Sequence, residues 1–479
     1  MAALLPLTHD FGQQHFGRAA LRDRRRTRSL VELAERLVQH PGGSLPEKFH
    51  DPNALRRCYD LMNCPHVTHA AVLDAHRHAT FERVRHLPGT VLYLHDITEL
   101  DFTSHKALHP QLGQIGNGTG KGYLCHHRLV ITPDKQVLGL ANQILHVRPE
   151  APDGETVAQR RDKEDRETRL WVQAVESLEP PPDHQRAVDI CDRAGDTFEF
   201  FDREFQLRRG FLVRSKHNRR IEVGHAGDGA RTYLHDYLRT LPGQGTREVT
   251  IHDHDTGAVR SAQVQVAYAA VRLRVPRSRR GHYQARLLDV WAVRVWEPAA
   301  PPGVEPVEWF LVTNVAVACV ADAWERVDWY LCRWVVEEYH KAQKTGCQIE
   351  GPQFETVEAL QPMVALLSVV ALVLLNLRDL SRRPEGATQA AAEVVAPEYV
   401  TVLSSWRFGS SRALTVREFV QALGRLGGHQ NRKGDGAPGW LVLWRGWMKL
   451  QLLRDGYRAG LRAQRLQSQE RHKADDPGG

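Results

Sequence analysis

The stretch with the richest chemistry in this chain is Tyr330 to Lys344, which reads Y-L-C-R-W-V-V-E-E-Y-H-K-A-Q-K. On an α-helix turning about 100° per residue, Tyr330, Arg333, Glu337, Lys341 and Lys344 share an arc of roughly 80°. Leu331, Cys332, Val335, Val336, Tyr339 and Ala342 occupy the other side, within roughly 140°. A phenol, a guanidinium, a carboxylate and two ammoniums then stand on one face, backed by an apolar one. Taken alone, such a helix is a solvated amphipathic element with Glu337–Lys341 as i,i+4 support. Two aspartates upstream change its meaning. Val91-Leu92-Tyr93-Leu94 is a short apolar run ending at His95-Asp96, and Ala187 to Cys191 is another ending at Asp192. Ligands of α/β sheets gather at the carboxyl ends of strands. Two such aspartates and a glutamate on a cationic helix suit a hard divalent cation beside a phosphate, because carboxylate oxygens bind magnesium and arginine and lysine bind phosphate.

The elements that must position these groups can be read from hydrophobic periodicity. Residues 1–70 are helical and basic, with Leu30, Leu33, Ala34, Leu37 and Val38 at helical spacing. Arg22, Arg24, Arg25, Arg26 and Arg28 precede them, where a helix start can meet phosphates or simply carry solvated charge. From residue 91 the texture is α/β. Residues 128–131 and 136–140 flank Thr132-Pro133-Asp134-Lys135 and read as a hairpin. A charged loop at 151–168 precedes a helix near 171–178, and 210–214 is a further strand. Ser261–Val275 and Asp289–Trp296 alternate with period two, the mark of antiparallel strands, with Arg277, Arg279 and Arg280 in the turn between them. Helix is expected over 318–345 and 360–379. A linker at 382–397 leads to a helical, tryptophan-rich end over 400–466.

Composition sets outer bounds. The chain has 479 residues, 64 Lys+Arg against 57 Asp+Glu, and a net charge of +7. With 25% charged and 42% hydrophobic residues it is an ordinary globular sequence, neither disordered nor collagen-like. The seven cysteines form no C-x-x-C pair, so a cysteine zinc site is not expected and the thiols read as reduced. The run 363–375 is too short for a bilayer, which needs about 20 residues, and reads as a buried helix. No leader is visible, and a soluble cytoplasmic protein is expected. Gly116 to Gly122 fails the phosphate-loop pattern, so no nucleotide cofactor is expected.

The spacing Tyr330-x-x-Arg333-x-x-x-Glu337-x-x-x-x-x-x-Lys344 resembles the Tyr-Arg-Glu-Lys signature of a group of bacterial insertion-sequence transposases, which includes the transposase of transposon five. The likeness extends to the arginines at 24–28, Asp96-Ile97-Thr98, Ile190-Cys191-Asp192-Arg193, Phe211 to His217, Glu308-Trp309-Phe310-Leu311 and Trp440 to Trp447. The resemblance implies an α/β fold: a ribonuclease-H-like mixed-sheet catalytic core at 71–380 with an antiparallel β insertion at about 220–315. A helical end-binding domain at 1–70 and a linker with a helical dimerisation domain at 381–479 would flank it. It implies a DDE triad of Asp96, Asp192 and Glu337 holding two Mg2+ (or Mn2+) ions per site, with Asp189, Asp196 and Glu338 as weaker candidates. Trp309 aligns with a tryptophan that stacks a flipped base, beside Tyr330 and Arg333. Lys341 and Lys344, with Arg214, Lys216 and the arginines Arg24, Arg25, Arg26 and Arg28, would contact DNA. The group carries tryptophan where this chain has Gln343.

The implied activity is cut-and-paste transposition: nicking at an inverted-repeat end, hairpin formation and opening, then transfer of the 3′ end into target DNA. The implied partners are double-stranded DNA and a second copy of the chain, in the bacterial cytoplasm at the nucleoid, without membrane or nucleotide. Trp440, Trp444, Trp447 and Leu450 make an apolar helix face, which is either intramolecular core or, by the resemblance, the dimer contact. The alternatives are a non-catalytic DNA-binding inhibitor derived from a transposase and a ribonuclease-H-like nuclease without strand transfer. A glycosidase carboxylate pair fits poorly beside a lysine-rich face.

Overall fold

The computed structural model describes residues 10–40, 43–49, 51–150, 152–176, 181–223, 230–252, 259–277, 282–283, 286–382, 384–432 and 435–475. Arg279 and Arg280 of the basic turn lie outside them. Five helices come first: α1 (Phe11–Phe16), α2 (Arg24–Gln39), α3 (Leu45–Phe49), α4 (Pro52–Met62) and α5 (His69–Arg85). The start of α2 follows capping chemistry: Asp23 accepts a hydrogen bond from the Arg25 N–H at 2.8 Å. Leu30, Leu33, Ala34, Leu37 and Val38 are its buried stripe, as their spacing requires.

The middle of the chain builds one mixed sheet. Its strands are β1 (Gly89–Asp101), β2 (Gly113–Ile115), β3 (Gly120–Ile131), β4 (Val137–His146), β5 (Gln185–Cys191) and β6 (Gly210–Arg214), followed by β7 (Arg220–Val223), β8 (Ala230–Tyr233), β9 (Gly245–His252), β10 (Val259–Arg274), β11 (Leu287–Trp296) and β12 (Glu308–Thr313). The order is β2-β3-β1-β5-β6-β12-β11-β10-β7-β8, with β4 on β3 and β9 on β10. β1, β5 and β6 run parallel, and the other pairings are antiparallel. The helices α6 (Val157–Asp162), α7 (Leu170–Glu176), α8 (Phe198–Gln206) and α9 (Leu234–Thr240) lie between strands. After the sheet come α10 (Val320–Leu331), α11 (Trp334–Lys341), α12 (Val357–Arg382), α13 (Pro397–Phe408), α14 (Val416–Leu426) and α15 (Trp440–Asp475). The fold is thus mixed α/β, a large mixed sheet with helices at both ends.

Period two sorts the strand residues onto two faces. Leu92, Leu94, Val188, Ile190, Leu212 and Leu311 face the larger core, which α5, α10, α11 and α12 share with the terminal helices. Cys191, Phe211, Val213, Phe310 and Val312 face a second core with α7, α8 and α9. Met363 to Val373 are buried all round, so α12 is the central helix, touching α2, α4, α5, α14 and α15. The hairpin at 128–140, the strand at 210–214 and the two alternating strands stand as read from sequence. Among the described residues all seven cysteines are free thiols, and no helix is long and apolar enough to cross a membrane.

Two expectations change. The apolar run at 91–94 belongs to a longer strand, so Asp96 lies inside β1 rather than at its end. The helix expected over 318–345 is broken. At 332–336 the backbone tightens through i to i−3 bonds (Arg333 N–H to Tyr330 O, Val335 N–H to Cys332 O). At Ala342–Gly346 it widens into a π turn closed by Cys347 N–H to Ala342 O. The single cationic arc drawn on an ideal helix is therefore divided.

Candidate active site

The pairing of β1 with β5 places the first two carboxylates. Parallel pairing runs to Leu94 opposite Ile190. Asp96 and Asp192 each lie two residues further on, so the same register sets them side by side. β1 continues to Asp101 because β3 still pairs with it, Asp96 standing opposite His127. β5 stops, and Asp192 turns the chain by accepting the Ala194 N–H at 2.9 Å. The third carboxylate arrives on α11, which lies against β1.

Arg333, at the head of α11, joins them. Its guanidinium donates to Asp96 Oδ2 at 3.2 Å and to Glu337 Oε1. All three side chains keep some solvent contact, at 18%, 18% and 15% exposure for Arg333, Asp96 and Glu337. Burial pushes the Asp96 carboxyl up to about 7; Arg333 and the Ile97 N–H oppose the rise, and the Asp192 and Glu337 carboxylates add to it. Such crowding of like charge is what a bound cation relieves. The donor set is hard oxygen, which suits magnesium or manganese. Among the described residues no three metal-ligating side chains stand in a finished coordination arrangement. Arg333 holds two of the three carboxylates instead.

Asp192, Arg333 and Glu337 line a cleft of about 1080 Å³, together with Arg214, Trp309 and Tyr330; Asp96 is joined to that wall through its bond to Arg333. The Trp309 and Tyr330 rings are 5.7 Å apart and tilted by 58°. The Arg214 guanidinium sits 6.0 Å from the Trp309 ring and hydrogen-bonds the Tyr330 hydroxyl. Burial pushes the Tyr330 phenol up, against the neighbouring Arg333 and Arg214. Trp309 reaches the cleft because β12 pairs with β6 beside Arg214, with Leu311 opposite it.

Other sequence candidates fall elsewhere. Lys341 is exposed, its Nζ 5.6 Å from the Trp334 ring, and Lys344 on the π turn is 3.5 Å from Glu350. Neither lines the cleft: Lys341 ends α11 one turn beyond Glu337, and Lys344 lies past it on the π turn. Lys216 has an exposed side chain outside the lining. Arg24, Arg25 and Arg28 are exposed at the start of α2, while Arg26 donates to Leu21 O at 3.1 Å. The tryptophan face of α15 is occupied within the chain. Trp444, Trp447 and Leu450 are buried, Trp440 packs on the same core, and Trp447 Nε1 donates to Val38 O at 3.4 Å. Trp444, Trp447 and Leu450 are thus core within the chain, and Trp440 stays half-buried at its edge.

The structure also separates the weaker candidates. Asp189 is fully buried against Arg128, Arg209 and His95. Asp196 accepts from the Lys216 and His217 N–H groups at 2.7 and 2.8 Å and from Arg219. Both are occupied in holding loops and strands. Glu338 does line the cleft. Gln343 is buried, bonding His127, Tyr339 and Ser368, so the departure at this position falls in the core. Lys135, Arg193, Arg247 and Trp334 line the cleft and were not singled out from sequence. Arg193 had a signal in its adjacency to Asp192. Arg247 had none, since only the fold of β9 across α10, through its 3.0 Å bond to Asp328, brings it there.

One comparison bears on these helices and strands. Residues 8–67, spanning α1 to α4 and the turn after them, match the family model described as transposase DNA-binding. That match supports a DNA-binding role for the N-terminal helices, in a transposase.

Proposed function

We propose that this chain is a DNA transposase of the DDE type that cuts at inverted-repeat ends and transfers 3′ ends into target DNA. The observation that carries the proposal is an arginine-lined cleft with Asp192 from the end of β5 and Glu337 from α11 in its wall and Asp96 of β1 bonded to its Arg333, in a chain whose N-terminal helices match a transposase DNA-binding family. The parallel β1-β5-β6 core flanked by antiparallel β3 supports a ribonuclease-H-like reading of 71–380, with β7 to β12 as the insertion. Asp96, Asp192 and Glu337 would hold two divalent cations, which when bound lower the pKa of a nucleophile and neutralise a leaving oxygen.

The remaining work falls to this chain's own side chains. Arg193, Arg214 and Arg333 would bind phosphate oxygens, fixing the backbone for in-line attack. Trp309 offers a ring on which an extruded base can stack, and the Tyr330 phenol, kept protonated, can donate to the neighbouring phosphate. A hairpin step needs such an unstacked end. Arg24, Arg25 and Arg28, with Lys341 and Lys344, would bind duplex phosphates away from the cleft. We propose that two copies act together on paired ends, through contacts outside the α15 tryptophan face.

The test uses the full chain with DNA taken from both flanks of its gene, with magnesium. Nicks, hairpins and double-strand breaks are expected from the wild type. Asp96→Ala, Asp192→Ala and Glu337→Ala should each abolish cleavage and keep DNA binding. Binding without any cleavage by wild type would instead favour the non-catalytic inhibitor.

A further inference from the structure

Arg333 bridges two of the three carboxylates proposed to hold a divalent cation. Its guanidinium bonds Asp96 Oδ2 and Glu337 Oε1 at once, and it sits at the tightened turn where α10 ends and α11 begins. The turn matters because it fixes the Arg333 backbone one helical turn before Glu337. The side chain then has two sets of anions within reach. One is the carboxylate pair. The other is whatever anion enters the cleft lined by Arg193, Arg214 and Tyr330. A single guanidinium cannot serve both fully, and while it serves the carboxylates it repels a metal ion from them.

Resting on the reading that these carboxylates bind divalent metal, we infer that Arg333 is an internal counter-cation that keeps the site closed to metal until a DNA phosphate draws it away, so that DNA binding and metal binding strengthen each other. The coupling is reciprocal by thermodynamic necessity: DNA that pulls Arg333 off the carboxylates raises metal affinity, and metal that displaces Arg333 raises phosphate affinity by the same factor. Two of the neighbouring cations are held by other groups. Arg214 is engaged with Tyr330 and the Trp309 ring, and Arg247 with Asp328. Among the hydrogen bonds described at Asp96 and Glu337, Arg333 alone bridges the pair.

The experiment measures Mn2+ affinity of the full chain by electron paramagnetic resonance, without turnover, for wild type, Arg333→Gln and Arg333→Lys. Each is measured alone and with a short mixed-sequence DNA duplex at low salt. Alone, Arg333→Gln should bind Mn2+ more tightly than wild type by about 5-fold to 150-fold, the usual span of coupling between two sites, and Arg333→Lys should fall between. Added duplex should tighten Mn2+ binding to wild type and leave Arg333→Gln unchanged. Equal affinity of wild type and Arg333→Gln without DNA, both lost in Asp192→Asn, overturns the inference and leaves the metal reading standing. Absence of Mn2+ binding in every form, with and without DNA, overturns the metal reading itself and the inference with it. Melting temperatures of both variants distinguish these results from misfolding.

Discussion

Asp189→Asn is a near-isosteric change that removes one buried charge beneath the carboxylate cleft. Asp189 and Arg128 are fully buried and Arg209 is 3% exposed. Arg128 Nε donates to Asp189 at 2.7 Å, Arg209 Nε at 3.0 Å, and His95 Nε2 lies 2.7 Å away. The two guanidiniums also flank the Tyr93 ring at 4.5 and 4.8 Å. The cluster ties β1, β3 and β5 to the turn before β6. With asparagine in place, two buried cations lose their fixed counter-charge. Breaking a buried pair from one side costs about 3–5 kcal/mol, a large share of a total of about 5–15 kcal/mol. One relief is available. Glu204 is fully buried with no hydrogen bond to either carboxylate oxygen, and burial, with Asp189 nearby, holds its carboxyl well above the usual range. Once Asp189 is neutral, Glu204 ionises more easily and offsets part of the loss.

The effect carries a pH signature. Burial alone would raise the Asp189 carboxyl, but Arg128, Arg209 and His95 hold it below the usual carboxylate range. A depressed folded value gives stability that is present above the unfolded value, about 3.9, and lost as pH falls through the folded one. The gap between wild type and Asp189→Asn is therefore full at neutral pH and smaller by about 1 kcal/mol at about pH 3. Urea unfolding followed by tryptophan fluorescence at the two pH values measures both quantities. A loss under about 1 kcal/mol at neutral pH, or a gap that does not shrink in acid, refutes the account of this cluster.

Four further outcomes follow from the same contacts. Trp447→Ala should cost about 3–5 kcal/mol of stability independently of protein concentration; a cost that grows on dilution would return this tryptophan to a dimer contact. Trp309→Ala should slow hairpin formation roughly 5-fold to 150-fold, the equivalent of about 1–3 kcal/mol of base stacking, and equal slowing of the first nick counts against that role. Replacing Arg25 or Arg28 by Ala should weaken duplex binding and reduce the salt slope by about 0.9 for each lost phosphate contact; an unchanged slope in titrations removes that residue from the DNA interface. Burial pushes the Lys48 ammonium down to about 8, so its stability contribution is lost as pH falls through that value. Wild type should therefore gain on Lys48→Met by up to about 3 kcal/mol between about pH 8 and pH 10, and parallel stability curves would contradict this.

The sequence by itself determined the elements whose residues answer to local rules. The α2 stripe at Leu30 to Val38, the hairpin around Thr132 to Lys135, the strand 210–214 and the alternating strands near 261–275 and 289–296 follow from periodicity and turn chemistry, which act between near neighbours. So does the buried run in α12. The candidate carboxylates were legible for another reason: their spacing is a long, position-specific pattern. The tertiary structure decided what depends on partners far along the chain. β3 extends β1 past Asp96, so this aspartate is internal to a strand, and no local signal could say so. The π turn at 342–346 takes Lys344 off the α11 helical face, since an ideal helical wheel assumes one constant pitch. Trp447 became core because Val38 and Tyr399 come to meet it. An apolar stripe states that a face is covered but not by what. Arg333 carries the same lesson. Glu337 lies one helical turn after it and was within reach by spacing alone, but only the fold brought Asp96 to its other side.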